Sequence, residues 1–412
     1  MAKMAKIYII DVTNRDGVQT SRLALAKLQK TLINIFLNKM GIFQSEMGFP
    51  ITRHEINYLK ANLSLVKKGV LSPMIISGWM RAVKKDVEEA LKNVPIENIN
   101  ISISTSDQMI QGKFMGRVTR QDIIKSMVEA LKTAKSGGIK TIGVNAEDAS
   151  RTDLDYLVDF ANAAKENGAN RLRYCDTMGY DSPFSIYDRI TYIAEKTKIP
   201  IELHCHNDLG LGVAASIAGA KAAVDAGVDA YINTTINGMG ERCGNADLVS
   251  VILALKKASG FSDKYQLDEA IDLKMAWKLT KYASYAFGIP VPINQVGVGA
   301  NAFAHESGIH VDGALKDYRN YELYHYEELG RGEPEVIETG RMITVGEYSG
   351  IKGFRNVYGK MEIEFKDEEE ARRILDLVRY ANIHTQKPLV EDELKFIAAH
   401  PEEATLLMTM SP

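Results

Sequence analysis

Cysteine is scarce in this chain: Cys175, Cys205 and Cys243 are the only three among 412 residues, and they stand far apart. An odd, scattered set does not make a disulfide framework, so the three read as thiols in a reducing compartment, and a cytoplasmic protein is expected. Long apolar runs are missing too. The opening MAKMAKIYIID places only Ile7, Tyr8, Ile9 and Ile10 in a row before Asp11, too short for a signal peptide or a membrane span. Nor is there a surplus of basic charge: the formal net charge is -3, which gives nucleic acid or an anionic membrane no broad field to bind. Small molecules and other protein chains are the expected partners. With only eight histidines in the chain, two that fall close together carry weight.

What is present in abundance is alternation. Strand-length apolar runs are expected at residues 7–12, 42–48, 73–79, 99–105, 141–147, 171–176, 200–206 and 230–237. Each is bounded by Gly, Pro, Asp or Asn and followed by a segment with apolar residues three and four apart. Eight such units within roughly 250 residues, with strands apolar throughout, predict an α/β fold with an all-parallel TIM (β/α)8 barrel. A doubly wound sheet would need a glycine-rich dinucleotide turn after the first strand, and none is there. Residues 1–275 are the expected catalytic barrel, and residues 276–412 an appendage of helical subdomains. From about residue 360 the appendage should end in two amphipathic helices, KDEEEARRILDLVRYANIH and PLVEDELKFIAAHPEEATLL, whose acidic first turns suit the helix dipole.

A TIM barrel collects its chemistry at the C-terminal strand ends. His204 and His206 in ELHCHND are two apart on the seventh strand, so both point to one face. With Asp16 from the end of the first strand they form a facial set of two imidazoles and a carboxylate. Three positions stay open for water or substrate, and the mixed N and O donors suit Mn, Co, Mg or Zn. Alone, H-x-H reads equally well as two satisfied core histidines; carboxylates at neighbouring strand ends favour the metal. Arg15 beside Asp16 reads as a rim ion pair or as a guanidinium that stabilises charge on a metal-held carbonyl oxygen. The loop NGMGERCGNA reads as a tight turn or an anion contact, with Asn245 within reach of a metal. In AFAHESGIHVDG, His305 and His310 are five apart, which matches no helical zinc motif and reads as surface or packing.

Taken in order, RDG, GFP, TSD, AEDASRTD, DTMG, HCHNDLG, NGMGERCGNA, AFAHESGIHVDG and TVGEYSG resemble the 2-isopropylmalate and homocitrate synthase family of the DRE-TIM metallolyases over nearly the whole chain. The resemblance implies a metal-dependent Claisen condensation of acetyl-CoA with a 2-oxo acid, then hydrolysis of the acyl-CoA. It implies Asp16, His204 and His206 as metal ligands with Asn245 a weaker fourth, and Arg15 as the group that polarises the carbonyl. Glu46 and Glu147 fall near the metal, Glu46 as a substrate contact and Glu147 as a catalytic group, and Thr177 on the substrate carboxylate. His310, accompanied by Tyr321, would enter the partner subunit's site and pair there with Glu202, which implies a homodimer.

The departures concern the substrate. The family's opening resembles DTTLRDGEQ, whereas DVTNRDGVQT carries Asn14 and Val18. Gly143 stands where members using 2-oxoglutarate carry arginine, and Met109 where isopropylmalate synthases carry histidine. The variant opening, followed by GIFQSEMGFPITRHE, resembles the branch that makes citrate from oxaloacetate with Re-face stereochemistry. Arg173, Arg117 or Lys113 is then expected to meet the far carboxylate, with Asn14 assisting. The alternatives are a homocitrate, isopropylmalate or citramalate synthase, a carbon–carbon lyase of the same fold, and a non-catalytic barrel. The lyases use a cysteine in a G-x-G-x-C-P loop, which NGMGERCGNA lacks.

Overall fold

A computed structural model of the chain describes residues 4–261, 265–335 and 339–409. Its strands are β1 (Lys6–Asp11), β2 (Gln44–Gly48), β3 (Ile75–Arg81), β4 (Asn98–Ser104), β5 (Thr141–Glu147), β6 (Arg171–Asp176), β7 (Ile201–Cys205) and β8 (Ala230–Thr234). Neighbours in sequence pair in parallel from β2 to β8, and β1 pairs with both β8 and β2, which closes the ring. This is the expected TIM barrel. A two-residue strand, Gln266–Leu267, pairs with the start of β1. Strand bounds lie within two residues of expectation except at β8, which stops at Thr234 instead of 237. There Asn237 adopts a left-handed φ of 57° in a short turn that folds NGMGERCGNA back over the barrel end.

The helices outside show why the alternation worked. Helix Arg120–Ser136 is opened by Thr119 and Asp122, which cap each other: Thr119 Oγ1 accepts from the Asp122 N–H at 3.2 Å, and Asp122 Oδ2 from the Thr119 N–H at 2.9 Å. Ile123, Met127, Ala130, Leu131 and Ala134 recur at helical spacing and are buried against the barrel.

The interior is different, because inward positions recur every second residue and many of them are polar. Near the N-terminal end, the Tyr8 ring lies against Phe43 (centroids 4.7 Å) and Tyr231 (4.9 Å). Above this aromatic floor sit Gln44, Glu46, Asn100, Arg171, Arg173, Glu202 and Asn233, all buried.

Asp11, at the end of β1, is fully buried and accepts from the Thr13 N–H at 2.9 Å and Thr13 Oγ1 at 3.0 Å. Burial outweighs those two bonds and pushes its carboxyl up to about 7. A raised folded-state pKa means the contribution to stability is complete below the unfolded value and is lost as pH rises through the folded one. Asp11→Asn is therefore expected to gain stability over the parent at pH 8 by on the order of 2 kcal/mol more than at pH 5. Denaturant melts at the two pH values check this, and equal gains at both would refute it.

In the appendage, helix Ala276–Phe287 packs on helix Lys27–Lys39, with the Phe36 and Tyr282 rings edge to face at 5.2 Å. Where the sequence predicts two closing helices, the structure has three: Glu368–Thr385, Glu391–Ala399 and Pro401–Met408. Pro401 has no amide hydrogen and drives His400 out of the helical region, to φ -136° and ψ 57°, so the expected second helix breaks there. Glu403 ties the last helix to the barrel by accepting from Ser64 Oγ (2.6 Å) and Lys68 Nζ (2.7 Å). Between these parts runs helix Gly308–Lys316, which buries none of its residues.

Candidate active site and metal centre

Beyond β1 the chain turns sharply, with the N–H groups of Arg15, Asp16 and Gly17 all donating to the Val12 carbonyl at 3.0, 2.7 and 3.2 Å. That turn aims Arg15 and Asp16 into a cleft of about 260 Å³ at the C-terminal end of the barrel. Trp79, Glu147, Thr177, His204, His206 and Arg242 also line it.

His204 Nε2 lies 3.0 Å and His206 Nε2 3.7 Å from Asp16 Oδ2. One ligand atom from each of the three falls within 4.8 Å of the others, the sole grouping of its kind among the described residues, and all three side chains are buried. Asn245 Nδ2 donates to Asp16 Oδ2 at 3.2 Å, while its Oδ1 is buried without a partner. An orphaned amide oxygen beside a carboxylate and two imidazoles is a donor set that fits a divalent cation. The protonation states agree. Burial alone would raise the Asp16 carboxyl, but Arg15, His204 and His206 outweigh it and hold the group far below the usual carboxylate range. Burial, followed by His204, brings His206 down to about 4, so its ring is neutral near pH 7.

Arg15 Nε donates to Glu46 Oε1 at 2.6 Å, and its NH1 lies 3.5 Å from Asp16 Oδ2. Glu46 also accepts from Arg173 NH2 (2.5 Å), Arg173 NH1 (3.1 Å) and Asn100 Nδ2 (2.7 Å). It therefore anchors Arg15 from below the cleft, and the expectation that Glu46 contacts substrate is corrected. Arg173 also lines the cleft, but its charge is engaged elsewhere. Its Nε donates to Glu202 Oε1 at 2.6 Å while both other nitrogens serve Glu46, so a fully buried guanidinium is already neutralised on two sides. Thr177 Oγ1 accepts from the Asp148 N–H at 2.8 Å, leaving its own hydrogen free to donate into the cleft. Glu147, a quarter exposed, accepts from Lys113 Nζ (2.7 Å) and Ser104 Oγ (2.5 Å).

Residues 6–282 match the HMGL-like family model, and residues 298–385 match the model described as homocitrate synthase post-HMGL domain-like. The chain belongs to the HMGL-like family. Within it the chain falls in the branch of the 2-isopropylmalate and homocitrate synthases, a branch of enzymes. It is 58% identical over 411 residues to the Citrate (Re)-synthase of Dehalococcoides mccartyi, covering 99% of each chain. To 2-isopropylmalate synthase 2 of Caldanaerobacter subterraneus it is 40% identical over 394 residues, 95% of this chain and 94% of the relative. Among solved structures, the hydroxymethylglutaryl-CoA lyase of Pseudomonas aeruginosa matches 71% of this chain and 96% of its own, with a TM-score of 0.57 at 15% identity, a likeness of fold alone.

Of the residues to which the family resemblance assigned roles, Arg15, Asp16, Glu147, Thr177, His204 and His206 line one cleft, and Asn245 adjoins it. Asn14 does not. Its Nδ2 donates to the Lys30 carbonyl and Asn34 Oδ1, each at 2.9 Å, so it faces the first barrel helix, and its expected substrate contact is corrected. Glu202 is fully buried, gripped by Arg171, Arg173 and Asn233, and no group entering from outside the barrel reaches it. The pairing of His310 with Glu202 is thereby corrected; Glu147 is a carboxylate that does line the cleft. His310 stacks on Tyr321 at 4.3 Å in the exposed appendage, outside the cleft of its own chain. His305 Nε2 lies 3.0 Å from Glu322. Asn100, Arg171 and Asn233 are not among the residues expected from the sequence, although polar residues at every second position inside apolar strands are a readable signal of a paired interior.

Proposed function

We propose that this chain condenses acetyl-CoA with oxaloacetate to give citrate and CoA by Re-face addition. The observation that carries the reading is the 58% identity, end to end, to a Citrate (Re)-synthase. Gly143 supports it against 2-oxoglutarate: a Cβ there would fall 1.7 Å from Asn100 Oδ1, so the arginine expected of homocitrate synthases fits only if Asn100 moves.

Asp16, His204, His206 and the free Oδ1 of Asn245 would hold a divalent cation, with Mn, Co, Mg and Zn all suited to that donor set. When bound, the cation supplies Lewis-acid polarisation of the 2-oxo acid carbonyl. Arg15, its Nε fixed by Glu46, turns its remaining N–H groups toward the oxygen on which charge develops. Thr177 donates its hydroxyl hydrogen to the substrate carboxylate. A base must take a proton from the acetyl methyl so that this carbon can bond to the carbonyl carbon. In this reading the base is the partner subunit's His310, oriented by Glu147 and stacked on Tyr321. Water then attacks the thioester carbonyl, the C–S bond breaks, and the CoA thiol leaves.

The appendage, residues 276–412 in this proposal, carries that histidine across a homodimer. Ile309 and Leu315 on helix Gly308–Lys316 are 75% and 82% exposed, as a segment awaiting a partner would be. The proposed compartment is the cytoplasm; no helix among the described residues is long and apolar enough to cross a membrane. Thiol release from acetyl-CoA, assayed with Mn2+ and a panel of 2-oxo acids, is expected to be fastest with oxaloacetate, to stop on adding chelator and to return with Mn2+. Carbon-labelled oxaloacetate reads the face of attack. Preference for 2-oxoglutarate or 2-oxoisovalerate would sink the citrate reading.

A further inference from the structure

Glu202 lies two residues before His204 on β7, on the same inward face but one layer deeper, touching neither the cleft nor a ligand atom of the metal centre. The geometry points to Glu202 and Asn233 as positioning residues that set the ring tautomer of His204, and with it the capacity of that ring to bind a cation. This rests on the metal centre proposed above.

Which groups donate and which accept decides each link. Arg171 Nε donates to Glu202 Oε2 at 2.5 Å and Arg173 Nε to Oε1 at 2.6 Å. A guanidinium has no acceptor, so both carboxylate oxygens are committed to accepting. Asn233 meets Oε1 at 2.7 Å and must present its NH2 there. Its carbonyl Oδ1 is thereby turned toward His204 Nδ1, 3.1 Å away. An amide oxygen only accepts, so the ring hydrogen of His204 sits on Nδ1. In the neutral ring that leaves Nε2 bare, and Nε2 is the atom 3.0 Å from Asp16 Oδ2. A bare ring nitrogen facing the carboxylate is what a cation requires; the other tautomer would donate to Asp16 and close the site. His206 has no such device, since its Nδ1 is buried without a partner.

Glu202 also grips Arg173, which reaches Arg15 through Glu46, so a change at Glu202 disturbs two arms of the site. Asn233 disturbs one and is the cleaner test. Binding of Mn2+ to the metal-free full-length protein, followed by electron paramagnetic resonance without turnover, is expected to weaken about ten- to a hundred-fold in Asn233→Leu. The melting temperature of the variant controls for its fold. In the metal-free parent, nitrogen–proton correlation spectra should place the His204 ring hydrogen on Nδ1, with the signal assigned by its loss in His204→Asn. This second measurement needs no change at Asn233. Equal Mn2+ affinity in Asn233→Leu and the parent overturns the proposal, as does an Nδ1 without a hydrogen. A parent that binds no Mn2+ overturns instead the metal centre on which it rests.

Discussion

Arg15→Lys is expected to lower kcat by about 10²- to 10³-fold, the usual effect of removing one donor to a developing oxyanion. The substitution keeps the positive charge, so a large loss isolates geometry from electrostatics. Arg15 divides its work: Nε is held by Glu46 at 2.6 Å, NH1 lies 3.5 Å from Asp16, and the guanidinium carbon stands 5.8 Å from the Trp79 ring centre. A planar fork can satisfy Glu46 and still present N–H groups to a substrate oxygen. A lysine ammonium, a single point on a flexible stem, cannot hold both positions. KM for the 2-oxo acid should change much less than kcat, because the interaction strengthens as charge develops. Steady-state kinetics with oxaloacetate and Mn2+ settle the matter, and a kcat within ten-fold of the parent contradicts the role given to Arg15.

Lys30→Met is expected to cost about 3 kcal/mol of stability, within the range for breaking one side of a buried ion pair. The Lys30 side chain is 1% exposed, its Nζ donates to Glu55 Oε1 at 2.7 Å, and it sits 4.5 Å from the centre of the Tyr58 ring. Glu55 takes two further donors, Lys27 Nζ at 2.8 Å and the Phe49 N–H at 2.7 Å. Burial alone would raise the Glu55 carboxyl, but Lys30 and Lys27 bring it down to about 2. Burial brings the Lys30 amine down to about 8, since it shares one carboxylate with a second lysine and recovers less than it loses. A depressed carboxyl contributes stability that is present above its unfolded value and lost as pH falls through the folded one. The gap between parent and variant should therefore narrow as pH falls from about 4 toward 2. Methionine fills the volume and leaves the buried Glu55 with the partly exposed Lys27 as its one cation beside the Phe49 N–H. Adding Glu55→Gln should recover part of the loss, because no unpaired charge then stays inside. Urea melts of the single and double variants measure both effects, and a loss below 1 kcal/mol in the single variant would falsify the account.

The strands could be read because each is an apolar run stopped by a residue that cannot continue it, and the helices because their buried faces recur at three and four. The metal triad could be read because His204 and His206 are two apart on a strand. Depth could not. Glu202 obeys the same two-residue rule as the histidines, so the sequence assigns it the right face of β7, but it sits about 6.6 Å farther down the barrel at ordinary strand rise. There it meets Arg171 and Arg173 from the neighbouring strand. Arg173 looked like a cation free for substrate because Glu46, its partner, is 127 residues away in sequence. Asn14 follows a turn rather than a strand, so alternation says nothing of where it points. Pro401 marks the break in the sequence, but the apolar spacing continues through it and hides it.

A barrel filled with ion pairs unfolds with a different heat capacity from one filled with oil. Exposing apolar surface raises the heat capacity of the unfolded chain, whereas exposing polar surface lowers it. Releasing Arg171, Arg173, Glu46, Glu202, Asn100 and Asn233 into water subtracts from the large positive change contributed by the apolar layer between strands and helices. The free energy of unfolding should then curve less with temperature than in a barrel of the same size lined with valine and isoleucine, giving a broader, flatter range of working temperature.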